Sequence, residues 1–315
     1  MVGTSISQVS RVWNWYLKER EKNAEIQVLD RRDDMTPDEV QALADHVAAL
    51  ACEMLRHQDF QTEATLSAGS DPVVVIFWGD QHFGALGVDY DLLKKDVDEL
   101  AALDRKHAFV VGMGDYKDNA SPLVHPDSVH EDVVTPWGQD LVVKHYIHRV
   151  SPRVLIRGCH DHWDYQTSTQ DFVRALCREC VPPAVNLWHG GLIRVHVGDE
   201  VYTIRARHKY RRESSLNTTN AQRALADEKG PVDVIALAHK HFPDLQKLWK
   251  FEREIVYLRS GTYKLKDEFA QRAGAWSGVY GVPAVLLYPD RHKVAPFWDF
   301  REALLCLKGL IGGGD

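Results

Sequence analysis

The segment Pro72–Gly84, PVVVIFWGDQHFG, holds six consecutive apolar residues, Val73 to Trp78, and then turns polar at Asp80 and His82. A half-exposed strand would alternate apolar and polar residues. A short run with no alternation reads as a strand buried on both faces. The same pattern recurs in HAFVVGMG (107–114), RVLIRG (153–158), DVIALA (233–238), IVYLRS (255–260) and PAVLLY (283–288). LIRVHVGDEVYTIRARH (192–208) reads instead as a hairpin turning at Gly198-Asp199. Helical or loop stretches separate these runs, so the expected fold from residue 72 onward is α/β with a mixed sheet system.

The totals are those of an ordinary globular chain. Its 315 residues, 44% of them hydrophobic, suffice for one large domain with an accessory piece. A formal net charge of −7 argues against coating nucleic acid by bulk attraction, though a local basic patch could still bind phosphate. No apolar run approaches the roughly 18 residues of a spanning helix, and MVGTSISQVSRVWNW lacks the charged-then-apolar order of a signal peptide. A cytoplasmic protein without a membrane partner is expected. Five cysteines, an odd number, suit a reducing compartment. Cys177 and Cys180 form a lone Cys-x-x-Cys, read as two thiols on a partly core-facing helix rather than half of a zinc site.

The first 69 residues read as an accessory helical segment and residues 70–315 as the main domain, with TLSAGSDP (65–72) marking the link. Thr36 as N-cap, Pro37 at the first helical position and Glu39 as capping-box partner open a helix on which Val40, Leu43, Val47, Leu50 and Met54 recur at helical spacing. SRVWNWYLKEREKN (10–23) suggests a second helix. Such apolar stripes need a partner surface, which leaves homo-oligomerisation through these helices open.

Polar groups follow one strand after another: Asp80 and His82; Asp115, Asp118 and Asn119; Cys159, His160 and Asp161; His208; His239 and His241. In open α/β sheets ligands bind at the carboxyl ends of strands, where loops converge on a rigid frame. Any one of these histidines is more often a hydrogen-bonded surface or core residue than a ligand. The ordered set of hard carboxylates and imidazoles is what a two-metal hydrolytic site requires.

The blocks GDQH, GDYKDN, GCHD, RH and AHKH, in that order, resemble the calcineurin-like metallophosphoesterase superfamily over roughly residues 72 to 298. The resemblance implies a sandwich of two mixed β-sheets flanked by helices. It implies that Asp80, His82 and His241 hold a first metal, that Asp115 bridges, and that His208, His239 and position 159 hold a second. His160 then matches the catalytic imidazole near the leaving group, Asp161 the carboxylate that orients it, and Asn119 a substrate contact. Two departures stand out: Ala238 replaces a glycine, and Cys159 replaces the asparagine ligand. LWHGGL makes His189 a rival to His208; His208 is preferred because it ends a β-run.

The activity implied is phosphoester hydrolysis by a water activated between two divalent ions, drawn from manganese, zinc or iron. A thiolate at position 159 would favour zinc or iron. Lys209, Arg211 and Arg212 follow His208 and could hold further phosphates; an exposed loop balanced by Glu213 is the plainer alternative. Arg205 and Arg207 alternate with Ile204 and Ala206 and are expected to face solvent. His125 and His130, between two motifs, read as substrate-side or exposed. The AHKH block and the local basic loop tip the expectation towards a phosphodiesterase acting on nucleic acid or a nucleotide. A phosphomonoesterase, including a phosphoprotein phosphatase, and a scaffold that lost catalysis at Cys159 are the alternatives.

Overall fold

A computed structural model of the chain describes residues 36–57, 62–121, 126–168, 170–181, 184–214, 216–266 and 278–312. Residues 10–23 and His125 lie outside them. The chain divides into two compact units, residues 1–60 and 61–315. In the first, helix α1 (Pro37–His57) begins with the expected capping box: the Thr36 N–H donates to Glu39 Oε2 at 2.7 Å, and the Glu39 N–H donates back to Thr36 Oγ1 at 3.4 Å.

The second unit runs β1 (Glu63–Ser67), β2 (Val73–Trp78), α2 (Tyr90–Ala101), β3 (Ala108–Gly112), α3 (Pro136–Val150), β4 (Val154–Leu155), α4 (Cys159–Ser168) and a short α5 (Phe172–Ala175). It continues with β5 (Val185–Asn186), β6 (Gly190–Val197), β7 (Glu200–Arg207), α6 (Asn220–Lys229), β8 (Val234–Leu237), β9 (Asp244–Lys250), β10 (Arg253–Arg259), β11 (Ala284–Leu287), β12 (Val294–Phe297) and α7 (Phe300–Ile311). Two six-stranded sheets result, ordered β1-β6-β7-β8-β10-β9 and β12-β11-β2-β3-β4-β5, each mixing parallel and antiparallel pairs.

Strand β2 explains why its sequence does not alternate. Val73, Val75 and Phe77 enter the core between the sheets, beside Val195, Ile204 and Val256. Val74, Ile76 and Trp78 enter a second core against Leu93 and Val97 of α2 and Phe300 and Ala303 of α7. At about 1.5–3 kcal/mol for each large apolar side chain buried, this one strand ties both layers together. On the far side, Ala221 and Leu225 of α6 cover Ile235, Leu237 and Tyr257 of the first sheet. The architecture is therefore the expected sandwich of two mixed sheets flanked by helices.

The predicted hairpin is β6–β7, closed at Val197↔Glu200 around Gly198, whose φ of +57° suits glycine. Strand β1 falls within the segment assigned above to the N-terminal helices. It pairs in parallel with β6 from Glu63↔Leu192 to Ser67↔His196, and only Ala64 and Leu66 point inward. Two buried residues on an edge strand leave too faint a pattern to read. Cys177 packs into the helix-covered core and Cys180 is half-buried beside it, neither joining a metal-ligating group among the described residues. No helix among the described residues is long and apolar enough to cross a membrane.

Candidate metal centre

The loops that leave β2, β3, β4, β7 and β8 meet at one end of the sandwich. Residues on them that adopt a left-handed backbone include Asp80 (φ 51°), His82 (46°), Asp115 (53°), Asn119 (54°), His239 (73°) and His241 (58°). Each such conformation costs about 1–3 kcal/mol and persists only where the surroundings over-determine it. Here they do. The Asp80 carbonyl accepts from Thr262 Oγ1 (2.8 Å) and the Tyr263 N–H (3.1 Å), while its carboxylate accepts from the His239 N–H (3.1 Å). The β3 and β4 loops touch so closely that a Cβ on Gly158 would stand 2.0 Å from Asp115 Oδ1.

Four overlapping groups of side chains converge among the described residues, Asp80 with His82 and His241, Cys159 with His208 and His239, Asp80 with Asp115 and His208, and His82 with Asp118 and His160; within each group the candidate ligand atoms lie within 4.8 Å of one another. Asp115 lies between the first two, its Oδ2 at 3.1 Å from His208 Nε2 and 3.8 Å from His82 Nε2. His208 Nδ1 donates to the Met113 carbonyl (2.9 Å) and His82 Nδ1 to Asp118 Oδ1 (2.9 Å), which turns the Nε2 lone pair of each ring towards the centre. His82 Nε2 then faces His241 Nε2 at 2.9 Å, and Cys159 Sγ faces His239 Nδ1 at 3.7 Å. The buried His208 Nε2 has no aligned hydrogen-bond partner. Lone pairs directed at one another are stabilised by a cation between them, so these residues fit metal ions.

The electrostatics of Asp80 and His239 agree, whereas at His208 burial opposes the charge but neighbouring Asp115 raises the pKa well above the ordinary value. Burial, with repulsion from Asp115 adding to it, pushes Asp80 up to about 8 against the pull of His208. Burial also drives His239 down to about 3, helped by the charge on His208. A bound divalent cation favours carboxylate over carboxylic acid and neutral over protonated imidazole, which relieves both strains.

The surrounding residues differ in part from expectation. His160 stands edge-on to His82 with ring centroids 4.5 Å apart, and its Nδ1 meets the Asp118 carbonyl at 2.5 Å. The resemblance gives Asp161 the task of orienting that ring. Its carboxylate is instead buried and accepts the N–H groups of Asp115 (2.7 Å), Gly158 (2.8 Å) and Tyr116 (3.2 Å), so it shapes the loop that carries Asp115. The carboxylate nearest the His160 ring belongs to Asp118, at 3.8 Å. Asn119, expected at the substrate, gives its side-chain N–H groups to the His160 carbonyl (3.1 Å) and Asp164 Oδ1 (3.0 Å), bracing the start of α4.

Glu213, read as exposed, is buried between His239 Nε2 (3.7 Å) and Arg259 Nη1 (3.1 Å), where it can fix the ring's orientation. Only fold-level contacts could reveal that role, because Arg259 is distant in sequence. Asp118 did carry a signal, as the second carboxylate of GDYKDN. Its carboxyl is held low: burial opposes ionisation, but the hydrogen bond from His82 and the nearby imidazoles and Lys264 outweigh it.

Beside Cys159 and His208 opens a cleft of about 640 Å³ whose walls include Arg157, Trp163, Arg207 and Lys209. Arg211 lines it too, but its guanidinium is paired with Glu228 (Nε to Oε1 2.9 Å). His189 also belongs to this wall, 5.2 Å between ring centroids from His162, whereas His208 is in the ligand cluster. Burial and the positive charge of Arg157 push His189 down to about 4.

No known family model and no curated protein matches the chain. Solved structures similar to it include a conserved uncharacterised protein, a predicted phosphoesterase, from Streptococcus pneumoniae, at 14% identity over 72% of this chain and 90% of that one, with a TM-score of 0.35. A Thermotoga maritima protein is similar at 13% identity over 72% and 99%, TM-score 0.34, and a hypothetical protein from Thermus thermophilus at 14% over 71% and 98%, TM-score 0.38.

Proposed function

We propose that the chain is a metal-dependent phosphoester hydrolase of the calcineurin-like type, with phosphodiesters as its preferred substrates. The observation that carries this reading is the pair of ligand groups with Asp115 between them, assembled from five strand-end loops with their lone pairs turned inward. In it Asp80, His82 and His241 would hold one ion and Cys159, His208 and His239 the other, with Asp115 available to both. Two such ions, when bound, would activate a water for in-line attack and neutralise charge on the phosphoryl oxygens.

The protein's own groups supply placement. Asp161 holds the Asp115 and Gly158 amides, and thereby the spacing of the two ligand groups. The His160 backbone N–H donates to Asp115 Oδ1 at 2.8 Å, which ties the start of α4 to the same carboxylate. With Nδ1 against the Asp118 carbonyl, His160 keeps Nε2 for donating a proton to the leaving oxygen. The Asp118 carboxylate accepts from His82 while its backbone carbonyl meets His160 Nδ1, so one residue orients a ligand ring and the proton donor together.

The test is hydrolysis of bis-p-nitrophenyl phosphate against p-nitrophenyl phosphate by protein loaded with manganese, zinc or iron, with metal content measured in parallel. Metal-dependent turnover, faster on the diester and abolished by chelation, is expected. Absence of turnover on both substrates with every metal would refute a hydrolase; faster turnover of the monoester would refute the diester preference.

A further inference from the structure

The cleft next to Cys159 and His208 is bordered by Arg157, Arg207, Lys209 and Arg211 and, among the described residues, by no carboxylate. Two of the four cations are neutralised where they stand. Arg157 pairs with Asp171 and lies over the Trp188 ring at 3.7 Å, and Arg211 pairs with Glu228. Arg207 differs. It is half-buried on β7, its Nε donates to the Lys209 carbonyl at 3.4 Å, and it has no carboxylate partner among the described residues. Lys209 is exposed, forms no ion pair among the described residues, and its charge bears on His239. A desolvated guanidinium without a counter-charge gains most from an anion, and its planar fork suits phosphate. Trp163 and Tyr210 line the same cleft, Trp163 packing 4.0 Å from the His160 ring and Tyr210 lying 5.7 Å from the Arg207 guanidinium. Aromatic faces beside phosphate-binding cations favour a planar base.

We propose that this cleft is a second-phosphate subsite for nucleotides: with one phosphate at the metal centre, Arg207 and Lys209 hold a neighbouring phosphate of the same molecule, and Trp163 and Tyr210 flank its base. The inference rests on the phosphoesterase reading for the first phosphate. It assigns a role to Arg207, which strand alternation alone sends to solvent. The walls shared with the ligand cluster, Cys159 and His208, set the two phosphates side by side.

Isothermal titration of the metal-loaded protein with thymidine 3′,5′-bisphosphate, with each thymidine monophosphate, and with inorganic pyrophosphate and phosphate tests it. The bisphosphate should bind about tenfold more tightly than either monophosphate, the gain expected of one added charge-assisted contact. Arg207→Gln with Lys209→Gln should bring that ratio near one, with fold and metal content checked by circular dichroism and metal analysis. Arg205→Gln, two residues along the same strand and bonded to the Lys229 carbonyl, should keep it. Lys209→Gln alone, at an exposed position, should lower the ratio about threefold and covers a failure of the double variant to fold. Equal affinities in the unaltered protein, a ratio kept by the double variant, or an equal loss in the Arg205 variant would each overturn the proposal. A pyrophosphate advantage over phosphate as large as that of the bisphosphate would overturn the assignment to nucleotides. Turnover of bis-p-nitrophenyl phosphate and of p-nitrophenyl phosphate is scored separately: if neither is hydrolysed with any metal the hydrolase is refuted while an Arg207-dependent ratio still supports the cleft, whereas turnover with no ratio refutes the cleft alone.

Discussion

Replacing Gly158 with alanine would test the idea that close backbone packing sets the position of Asp115. The added Cβ would lie 2.0 Å from Asp115 Oδ1 and 2.2 Å from the Asp115 backbone nitrogen, both well under the 3.0 Å that real Cβ atoms keep. Restoring that distance requires a shift of about 1 Å. Little can absorb it elsewhere, because a Cβ on neighbouring Gly114 would stand only 2.5 Å from the Gly158 nitrogen, and Asp161 binds both loops. A displacement of about 1 Å at a reacting centre costs on the order of 10²-fold in rate, and overpacking of this kind costs about 1–3 kcal/mol of stability. The variant should therefore stay folded, with a lower unfolding midpoint, lose about 10²-fold in kcat on bis-p-nitrophenyl phosphate, and bind less than two equivalents of metal. Thermal unfolding, steady-state kinetics and metal analysis on one preparation measure all three. Turnover within threefold of the unaltered protein at full metal content would refute the argument that this contact positions the Asp115 carboxylate.

Cobalt-loaded protein should show near-ultraviolet thiolate-to-metal charge-transfer absorption that disappears in Cys159→Asn; a spectrum unchanged by the substitution removes Cys159 from the ligand set. His160→Ala should lower turnover by about 10²–10⁴-fold on a diester with a poor alkoxide leaving group and less on a nitrophenyl ester. Loss of metal in that variant would mark His160 as a ligand instead. Deleting residues 1–60 should leave a folded, metal-binding protein, whereas deleting 1–69 removes β1 and uncovers the paired edge of β6; equal stability of the two truncations would contradict the sheet order. Away from the centre, His292 binds Glu200 Oε2 at 2.8 Å and Asp233 Oδ1 at 3.0 Å. Burial opposes its charge, but these bonds raise its pKa above the ordinary value. The stabilisation is then complete below about pH 6.5 and is lost as pH rises through the folded-state value. Its half-exposed ring limits the effect to under about 1 kcal/mol. Urea unfolding of His292→Gln against the unaltered protein should show a larger gap at pH 6 than at pH 9; equal gaps would rule out the ion pairs as the source.

Much of the centre was legible because its information is local. A strand buried on both faces needs an unbroken apolar run, and a group presented at its end must follow that run within a few residues, as Asp80 and His82 follow Trp78. The strand-end placement of the five blocks and the preference for His208 over His189 follow from that rule, their order drew its meaning from the family resemblance, and the sandwich places His208 with Cys159 and His239. Residues whose partners come from other loops carry no such mark. Asp161 adjoins His160 in the chain, yet a carboxylate one residue further along a helix points away from its neighbour, and here it reaches the β3 loop. Asn119 turns to α4, Glu213 turns inward to Arg259, and Arg207 ends in a cleft instead of solvent, each through contacts made only once separate strands are stacked. Strand β1 was hidden for the related reason that an edge strand with two buried residues depends on its neighbour's hydrogen bonds more than on its own hydrophobicity. The sequence alone thus determined which chemistry gathers at the strand ends, because burial dictates the local pattern. Only the tertiary structure decided which of those groups converge on the candidate metal centre and which serve to hold the loops, because that depends on distances between segments far apart in the chain.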